Sequence, residues 1–106
     1  MKTFRTLNLA IEFYQHAKSL KLPNKHLQDQ FDRALISVVL NLGEGSAKPT
    51  AKDRRKFYHI SLGSFREVQT LLLLHSKTFR SERLAFSLMK GSGSLGAHLY
   101  KLCKNT

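Results

Sequence analysis

Residues that commonly carry chemistry are few in this chain, and their spacing does not form a catalytic or metal-binding motif. The five histidines have no paired spacing, and Cys103 has no second cysteine with which to form a disulfide or a metal site. Glu44 and Glu67 could be imagined as an acid–base pair, but no residue near them in the sequence suggests a shifted pKa. We therefore expect no catalytic residue, no metal, no cofactor and no enzymatic activity.

Basic residues give the clearest functional signal. The chain has 18 Lys and Arg against 7 Asp and Glu, a formal net charge of +11, and such an excess is typical of proteins that bind polyanions. Cations beside a helix N-terminus add to N–H groups that already favour anions, which predicts phosphate contacts with RNA or DNA. The candidate nucleic-acid contacts lie at the start of a predicted third helix, Lys48, Lys52, Arg54, Arg55 and Lys56, and near its far end, Lys77, Arg80 and Arg83.

Tyr58 and His59 follow the first basic cluster and are candidates for stacking on bases. Binding of this kind would read phosphate and shape rather than base sequence. A second interpretation stays open, in which the basic residues simply form a charged, solvated helix face.

The elements that must position these residues are helices. Apolar residues recur at three- and four-residue steps from about 4 to 20, from Asn24 to the glycines at 43 and 45, from Thr50 to His75, and from 81 to 102. Asn24 and Thr50 are the predicted N-caps, and Gly43 and Gly45 are predicted to end the second helix. Short connections favour antiparallel neighbours, so we predict an all-α protein, an antiparallel up-and-down four-helix bundle that forms one domain over residues 1–106.

Glycines make the fourth helix the weakest part of this architecture. Gly91, Gly93 and Gly96 lie in its middle, and each interior glycine costs roughly 1 kcal/mol relative to alanine. A break or a kink is therefore expected there, and the sequence leaves open whether the helix is continuous through Gly91 to Gly96.

The second and third helices carry more apolar residues than one buried stripe requires. The rows assigned to the core are Ala34, Val38 and Leu42 in the second helix, and Phe57, Ile60, Ser64, Val68, Leu71 and His75 in the third. Beside them lie Leu35, Ile36, Val39, Leu40, Leu62, Phe65, Leu72 and Leu73. These additional residues are the predicted interface of a homo-oligomer, because monomers rarely expose large apolar patches. The alternative is that the two helices are simply well buried within one subunit.

No apolar run approaches the roughly 18 residues that a membrane span requires, and the first residues lack the apolar stretch of a signal peptide. Together with the single cysteine, this predicts a cytoplasmic protein without a membrane partner.

Residues in the second and third helices resemble a known family. They are Gln30-Phe31-Asp32-Arg33-Ala34, Ser37, Asn41-Leu42-Gly43-Glu44-Gly45-Ser46, Phe57, Ile60, Gly63-Ser64 and Glu67. The chain resembles the four-helix bundle family of 23S rRNA intervening sequence proteins, or S23 ribosomal proteins, over nearly its whole length. That family is similar to the accessory variability determinant of diversity-generating retroelements, a basic protein that forms a pentameric barrel, binds nucleic acid and associates with a reverse transcriptase. The resemblance implies a homo-oligomer, with a pentamer as the favoured state, and a nucleic-acid ligand.

The residues of this motif also predict a structural polar network. Arg33, Ser37, Asn41 and Glu44 fall on successive turns of the second helix, and Ser61, Ser64 and Glu67 form a comparable line on the third. If the two lines face each other, Arg33 can pair with Glu67 while the small residues allow close packing. Because buried polar groups must be satisfied, we favour this structural role over a ligand-binding one.

The leading hypothesis is a non-enzymatic, oligomeric basic protein that binds RNA or DNA mainly through phosphate contacts. The alternative is a protein-interaction scaffold whose basic surface docks an acidic partner such as a reverse transcriptase.

Overall fold

A computed structural model of the chain describes residues 2–78 and 83–106, with side chains for residues 4–75, 87–88 and 90–106. Four helices make up this part of the chain: α1 (Lys2–Ala17), α2 (Lys25–Ser46), α3 (Ala51–Thr78) and α4 (Arg83–Asn105). In the described residues each helix packs against two others, α1 on α2, α2 on α3, α3 on α4, and α4 back on α1. The predicted all-α four-helix bundle is therefore confirmed.

The predicted N-caps, Asn24 and Thr50, are found at the starts of α2 and α3. The Asn24 side-chain oxygen accepts hydrogen bonds from the main-chain N–H groups of His26 at 2.8 Å and Leu27 at 3.2 Å. The Thr50 hydroxyl accepts one from the N–H of Asp53 at 3.2 Å. Each cap satisfies N–H groups that the first helical turn leaves without a partner, which fixes where the helix starts.

Gln28 holds the connection between α1 and α2, a role that the sequence did not suggest. Its side-chain oxygen accepts from the N–H of Leu22 at 2.6 Å, and its amide nitrogen donates to the carbonyl of Leu20 at 3.2 Å and to Asp32 at 3.0 Å. One side chain of the following helix therefore satisfies the N–H of Leu22 and the carbonyl of Leu20 in this short segment.

The expectation that Gly43 and Gly45 end α2 is wrong, because the helix continues through both to Ser46. Gly45 is buried where α2 crosses α3, and a Cβ there would lie 2.9 Å from the Phe57 Cβ and 2.9 Å from the Tyr58 ring. Its missing side chain allows a close approach between two helices and does not terminate one of them.

The expected break in α4 is also wrong, since the helix is continuous from Arg83 to Asn105. Leu88, Leu95 and Leu99 are buried on its inner face, and burying a leucine contributes about 1.5–3 kcal/mol. That gain exceeds the roughly 1 kcal/mol that each interior glycine costs. Gly96 also packs closely, because a Cβ there would come within 3.2 Å of the Phe65 ring.

The core-facing row expected on α3 is right in the second half of the helix, where Val68, Leu71 and His75 are buried. In the first half the buried residues lie one position further along than Phe57, Ile60 and Ser64, which were expected there. Tyr58, Ser61 and Phe65 are buried, whereas Ile60 is 42% exposed. The centre of the buried face is displaced because α3 packs against both α2 and α4, and apolar residues on both flanks made the stripe ambiguous in the sequence. The buried apolar side chains are Ala10, Phe13, Ala17, Leu20, Phe31, Ala34, Leu35, Val38, Leu42, Tyr58, Phe65, Val68, Leu71, Leu72, Leu88, Leu95, Leu99, Leu102 and Cys103.

This core corrects the predicted oligomer interface. Leu35, Phe65 and Leu72 are at most 1% exposed and pack within the subunit, so they cannot contact another copy. Leu40 and Leu73 are exposed at 61% and 44%. The remaining three, Ile36, Val39 and Leu62, are half-buried.

The α2–α3 contact at Gly45 makes a stability prediction. Gly45→Ala should lower the free energy of unfolding by about 1–3 kcal/mol, because overpacking a tight contact displaces its neighbours. Gly43→Ala, in the same helix with nothing within 4 Å of the added Cβ, should raise it by about 0.5–1 kcal/mol. Urea unfolding of both variants measures the difference, and equal effects of the two would contradict the close approach.

Candidate nucleic-acid interface

The first basic cluster surrounds the start of α3. The side chains of Lys52, Arg55 and Lys56 are exposed, whereas Lys48 and Arg54 are half-buried. The exposed three can reach a ligand directly, so the cluster divides into exposed cations and half-buried cations that the protein engages more fully.

Arg54 and Lys48 are the engaged cations. Arg54 Nη1 donates to the main-chain carbonyls of Lys48 at 3.1 Å and Pro49 at 3.0 Å. Lys48 Nζ lies 3.9 Å from a carboxylate oxygen of Glu44 and 5.1 Å from the centre of the Phe57 ring. Arg54 therefore fixes the loop that carries Lys48, a positioning role that the sequence did not separate from phosphate contact.

Packing brings further cations to the same end of the bundle. Because neighbouring helices are antiparallel, α1 and α3 begin where α2 and α4 end. Arg5 in α1 and Lys101 and Lys104 in α4 are exposed there, and Arg55 Nη2 donates to the main-chain oxygen of Thr106 at 3.1 Å. We call the resulting surface the basic end, which comprises Arg5, Lys48, Lys52, Arg54, Arg55, Lys56, Lys101 and Lys104.

The second basic cluster does not join the basic end. Lys77 and Arg83 lie where α3 ends and α4 begins, and at about 1.5 Å per residue the helix separates Lys77 from Lys56 by roughly 30 Å. The side chains of Lys77 and Arg83, and all of Arg80, lie outside the described residues.

The aromatic residue at the basic end is not the one expected. Tyr58 is only 2% exposed, so it cannot stack on a base, while His59 is exposed. Phe57 is half-buried and has the ammonium groups of Lys48 and Lys56 at 5.1 Å and 6.0 Å from its ring centre. The sequence pattern assigned Phe57 to the core-facing row of the third helix, so it was not considered as a surface residue.

Serines join α2 to α3, and an asparagine within α2 supports them. The hydroxyl oxygens of Ser37 and Ser64 are 2.7 Å apart, and the Asn41 amide donates to the Ser37 hydroxyl and carbonyl, each at 2.9 Å. The buried Ser61 hydroxyl donates to the carbonyl of Val38 at 2.8 Å. These bonds satisfy the polar groups that close helix packing places between the two helices.

The charged members of the predicted network stay outside it. Arg33 and Glu67 are both exposed, and in the described structure no ion pair joins these two side chains; Glu44 faces Lys48 instead. The serines satisfy one another without a charged partner, and an exposed ion pair would add little to stability.

A groove of about 260 Å³ lies between α1 and α4, away from these serines. Leu9, Phe13, Leu88 and Leu95 line it together with Glu12, His16, Ser87, Gly91 and Ser94. The lining includes no lysine or arginine, so the groove offers no phosphate contact of the kind found at the basic end.

Within the described residues, no three His, Cys, Asp or Glu side chains are close enough together to hold a metal ion. Burial raises the pKa of the Cys103 thiol, against a smaller opposing effect of Arg66, so this sulfur is protonated and weakly nucleophilic near neutral pH. No helix in the described part of the chain combines enough length and apolarity to cross a membrane.

Comparison with known proteins identifies a family. The profile of the family described as 23S rRNA-intervening sequence protein matches residues 4–101. The fold is similar to a crystal structure of a protein of unknown function from the S23 ribosomal protein family of Bacteroides thetaiotaomicron, with a TM-score of 0.78, 18% identity, and coverage of 98% of this chain and 99% of that chain. No curated protein matches the sequence. The resemblance to the S23 family is therefore confirmed, and at this identity the crystal structure supports the fold alone.

The environment of Cys103 predicts its reactivity. Iodoacetamide at mildly alkaline pH should alkylate the native protein at least about tenfold more slowly than the denatured chain, because burial and the raised pKa both limit the thiolate. Mass spectrometry of timed samples measures the two rates. Equal rates would show that burial does not protect the sulfur.

Proposed function

The chain belongs to the family of 23S rRNA-intervening sequence proteins, and from this we propose that it is a non-enzymatic, oligomeric basic protein that binds RNA or DNA mainly through phosphate contacts. The observation that carries the proposal is the basic end, where three helices and one loop contribute cations. Only Glu44 and Asp53 are acidic among the described residues at this end.

Side chains, not helix dipoles, set the sign of the charge at this end. Each helix N-terminus carries roughly half a positive charge and each C-terminus roughly half a negative one. Two helices begin and two end here, so the dipoles largely offset one another. The side chains of Lys52, Arg55 and Lys56, joined by Arg5 and Lys101, are exposed and supply the attraction for phosphate.

Contacts of this kind follow the backbone of a nucleic acid. They order the ligand without reading base edges, and each neutralised phosphate releases counterions, so affinity falls steeply as salt rises. We expect weak dependence on base sequence and strong dependence on ionic strength.

We also propose a homo-oligomer that uses the outer side of α2. Leu40 is 61% exposed, and Ile36 and Val39 beside it are half-buried. On α1, Phe4 and Ile11 are 63% and 37% exposed and lie seven residues apart, on one side of the helix. Burying such side chains against another copy removes apolar surface from water. A pentamer, the state that the family resemblance implies, would repeat the basic end around a ring.

The protein-interaction scaffold remains the alternative. An acidic protein such as a reverse transcriptase would be attracted by the same cations, so charge alone does not separate the two functions. Retention of a protein partner after nuclease treatment, with no binding of nucleic acid by the purified protein, would favour the scaffold.

Charge reversal tests the role of the basic end. The variant K52E/R55E/K56E should weaken binding of a generic RNA or DNA by about tenfold or more and reduce the slope of log affinity against log salt by about 2–3. Fluorescence anisotropy at about 50 and 200 mM salt gives both quantities.

The matched control is K18E/K21E/K25E, which has the same net charge but changes exposed lysines at the opposite end of the bundle. It should bind with nearly unchanged affinity. If the two variants lose affinity equally, net charge and not the basic end determines binding; if the unaltered protein ignores nucleic acid at low salt, the proposal fails.

Light scattering tests the assembly. Leu40→Glu should convert the oligomer to a monomer, because a carboxylate replaces an exposed leucine at the proposed contact. Tyr100→Glu, which alters a side chain that is 53% exposed on α4, should leave the mass unchanged. A monomeric unaltered protein would refute the assembly.

A further inference from the structure

We propose that the basic end selects single-stranded nucleic acid, with the Phe57 ring stacking on an unpaired base while Lys48 and Lys56 contact the neighbouring phosphates. This inference rests on the proposed nucleic-acid function and adds to it the class of ligand and the residue that distinguishes it.

The Phe57 ring is accessible although it is half-buried. The ammonium groups of Lys48 and Lys56 lie 5.1 Å and 6.0 Å from its centre. Lys56 is exposed and the Lys48 side chain is 35% exposed, so two hydrated cations reach the ring from solvent. Part of the aromatic surface is therefore not covered by the core.

The Cβ of Phe57 is packed closely against α2. A Cβ at Gly45 would lie 2.9 Å from the Phe57 Cβ, which means that the α2 backbone closely approaches the start of the Phe57 side chain. An aromatic ring that is packed on one side and exposed on another loses little conformational entropy when a ligand stacks on it.

Lys48 and Lys56 can leave the Phe57 ring and contact a phosphate at a small cost in free energy. Cation–π contacts at exposed sites are weaker than the stacking of a base on an aromatic ring. The pair between Lys48 and Glu44 spans 3.9 Å, with the Glu44 side chain 57% exposed, so solvent screens it. A phosphate offers both ammonium groups a stronger, charge-assisted partner, and their movement to it frees the ring for the base.

This arrangement requires an unpaired base. In a duplex both faces of each base are covered by its neighbours, whereas a single strand leaves faces free to stack on aromatic side chains. Ile60, three residues further along α3 on the same side, is 42% exposed and extends the apolar surface for the adjacent base or sugar.

A tryptophan at position 57 reports stacking directly. The chain contains no Trp, so the fluorescence of Phe57→Trp comes from this site alone. A single-stranded oligothymidylate should quench it, while a DNA duplex of equal length and heparin, a polyanion without bases, should bind at low salt with little quenching. Circular dichroism checks that the variant is helical.

Phe57→Leu tests the energetic role. Leucine keeps apolar volume against α2 but removes the aromatic face, so affinity for the single strand should fall about fivefold or more, with affinity for heparin unchanged. Tyr100→Leu removes an exposed aromatic side chain from α4 and should leave both affinities unchanged.

The outcomes separate the two proposals. Binding of the oligothymidylate to the Phe57→Trp variant without quenching of the introduced indole, or equal quenching by the duplex, overturns the stacking inference and leaves the phosphate-binding function standing. Failure of the unaltered protein to bind the oligothymidylate, the duplex and heparin at low salt overturns both. If Phe57→Leu does not fold, the fluorescence comparison decides alone.

Discussion

The close contact between α2 and α3 determines the geometry of the rest of the molecule. At Gly45 the α2 backbone meets the side chains of Phe57 and Tyr58, with no room for an added Cβ. Further along, the hydroxyls of Ser37 and Ser64 and the bond from Ser61 to the Val38 carbonyl connect the helices. Small residues allow the approach, and hydrogen bonds between them satisfy the polar groups that the approach buries.

That contact also sets the chemistry of the basic end. It places the first turns of α3 beside the end of α2, where Arg54 can bond to the carbonyls of Lys48 and Pro49. Lys48 is then held near the Phe57 ring. The basic cluster looks uniform in the sequence, but it contains half-buried residues that organise the surface and residues whose side chains are exposed. Helix dipoles largely offset one another here, so the distribution of side chains decides the sign of the field.

Apolar residues divide in the same way between the subunit core and its surface. Leu35 and Leu40 lie five residues apart in α2, yet one is 1% and the other 61% exposed. Only residues of the second kind can favour assembly with another copy. A repeated subunit would place several basic ends on one particle, and multiple weak phosphate contacts would then act together on one ligand.

The sequence by itself predicted the four helices, the N-caps at Asn24 and Thr50, the net positive charge and the family. These follow from interactions between residues within about four positions of one another, or from composition, and need no knowledge of packing. The sequence misjudged Gly43 and Gly45 as helix ends and Gly91 to Gly96 as a break, because intrinsic preference is weaker than burial against a neighbouring helix. Only the tertiary structure decided that Arg5, Lys101 and Lys104 join the cluster at α3, that Arg33 and Glu67 remain apart, and that Phe57 rather than Tyr58 reaches the surface. Each of these depends on how two helices align and rotate against each other, and that alignment is set by the packing of side chains distant in sequence.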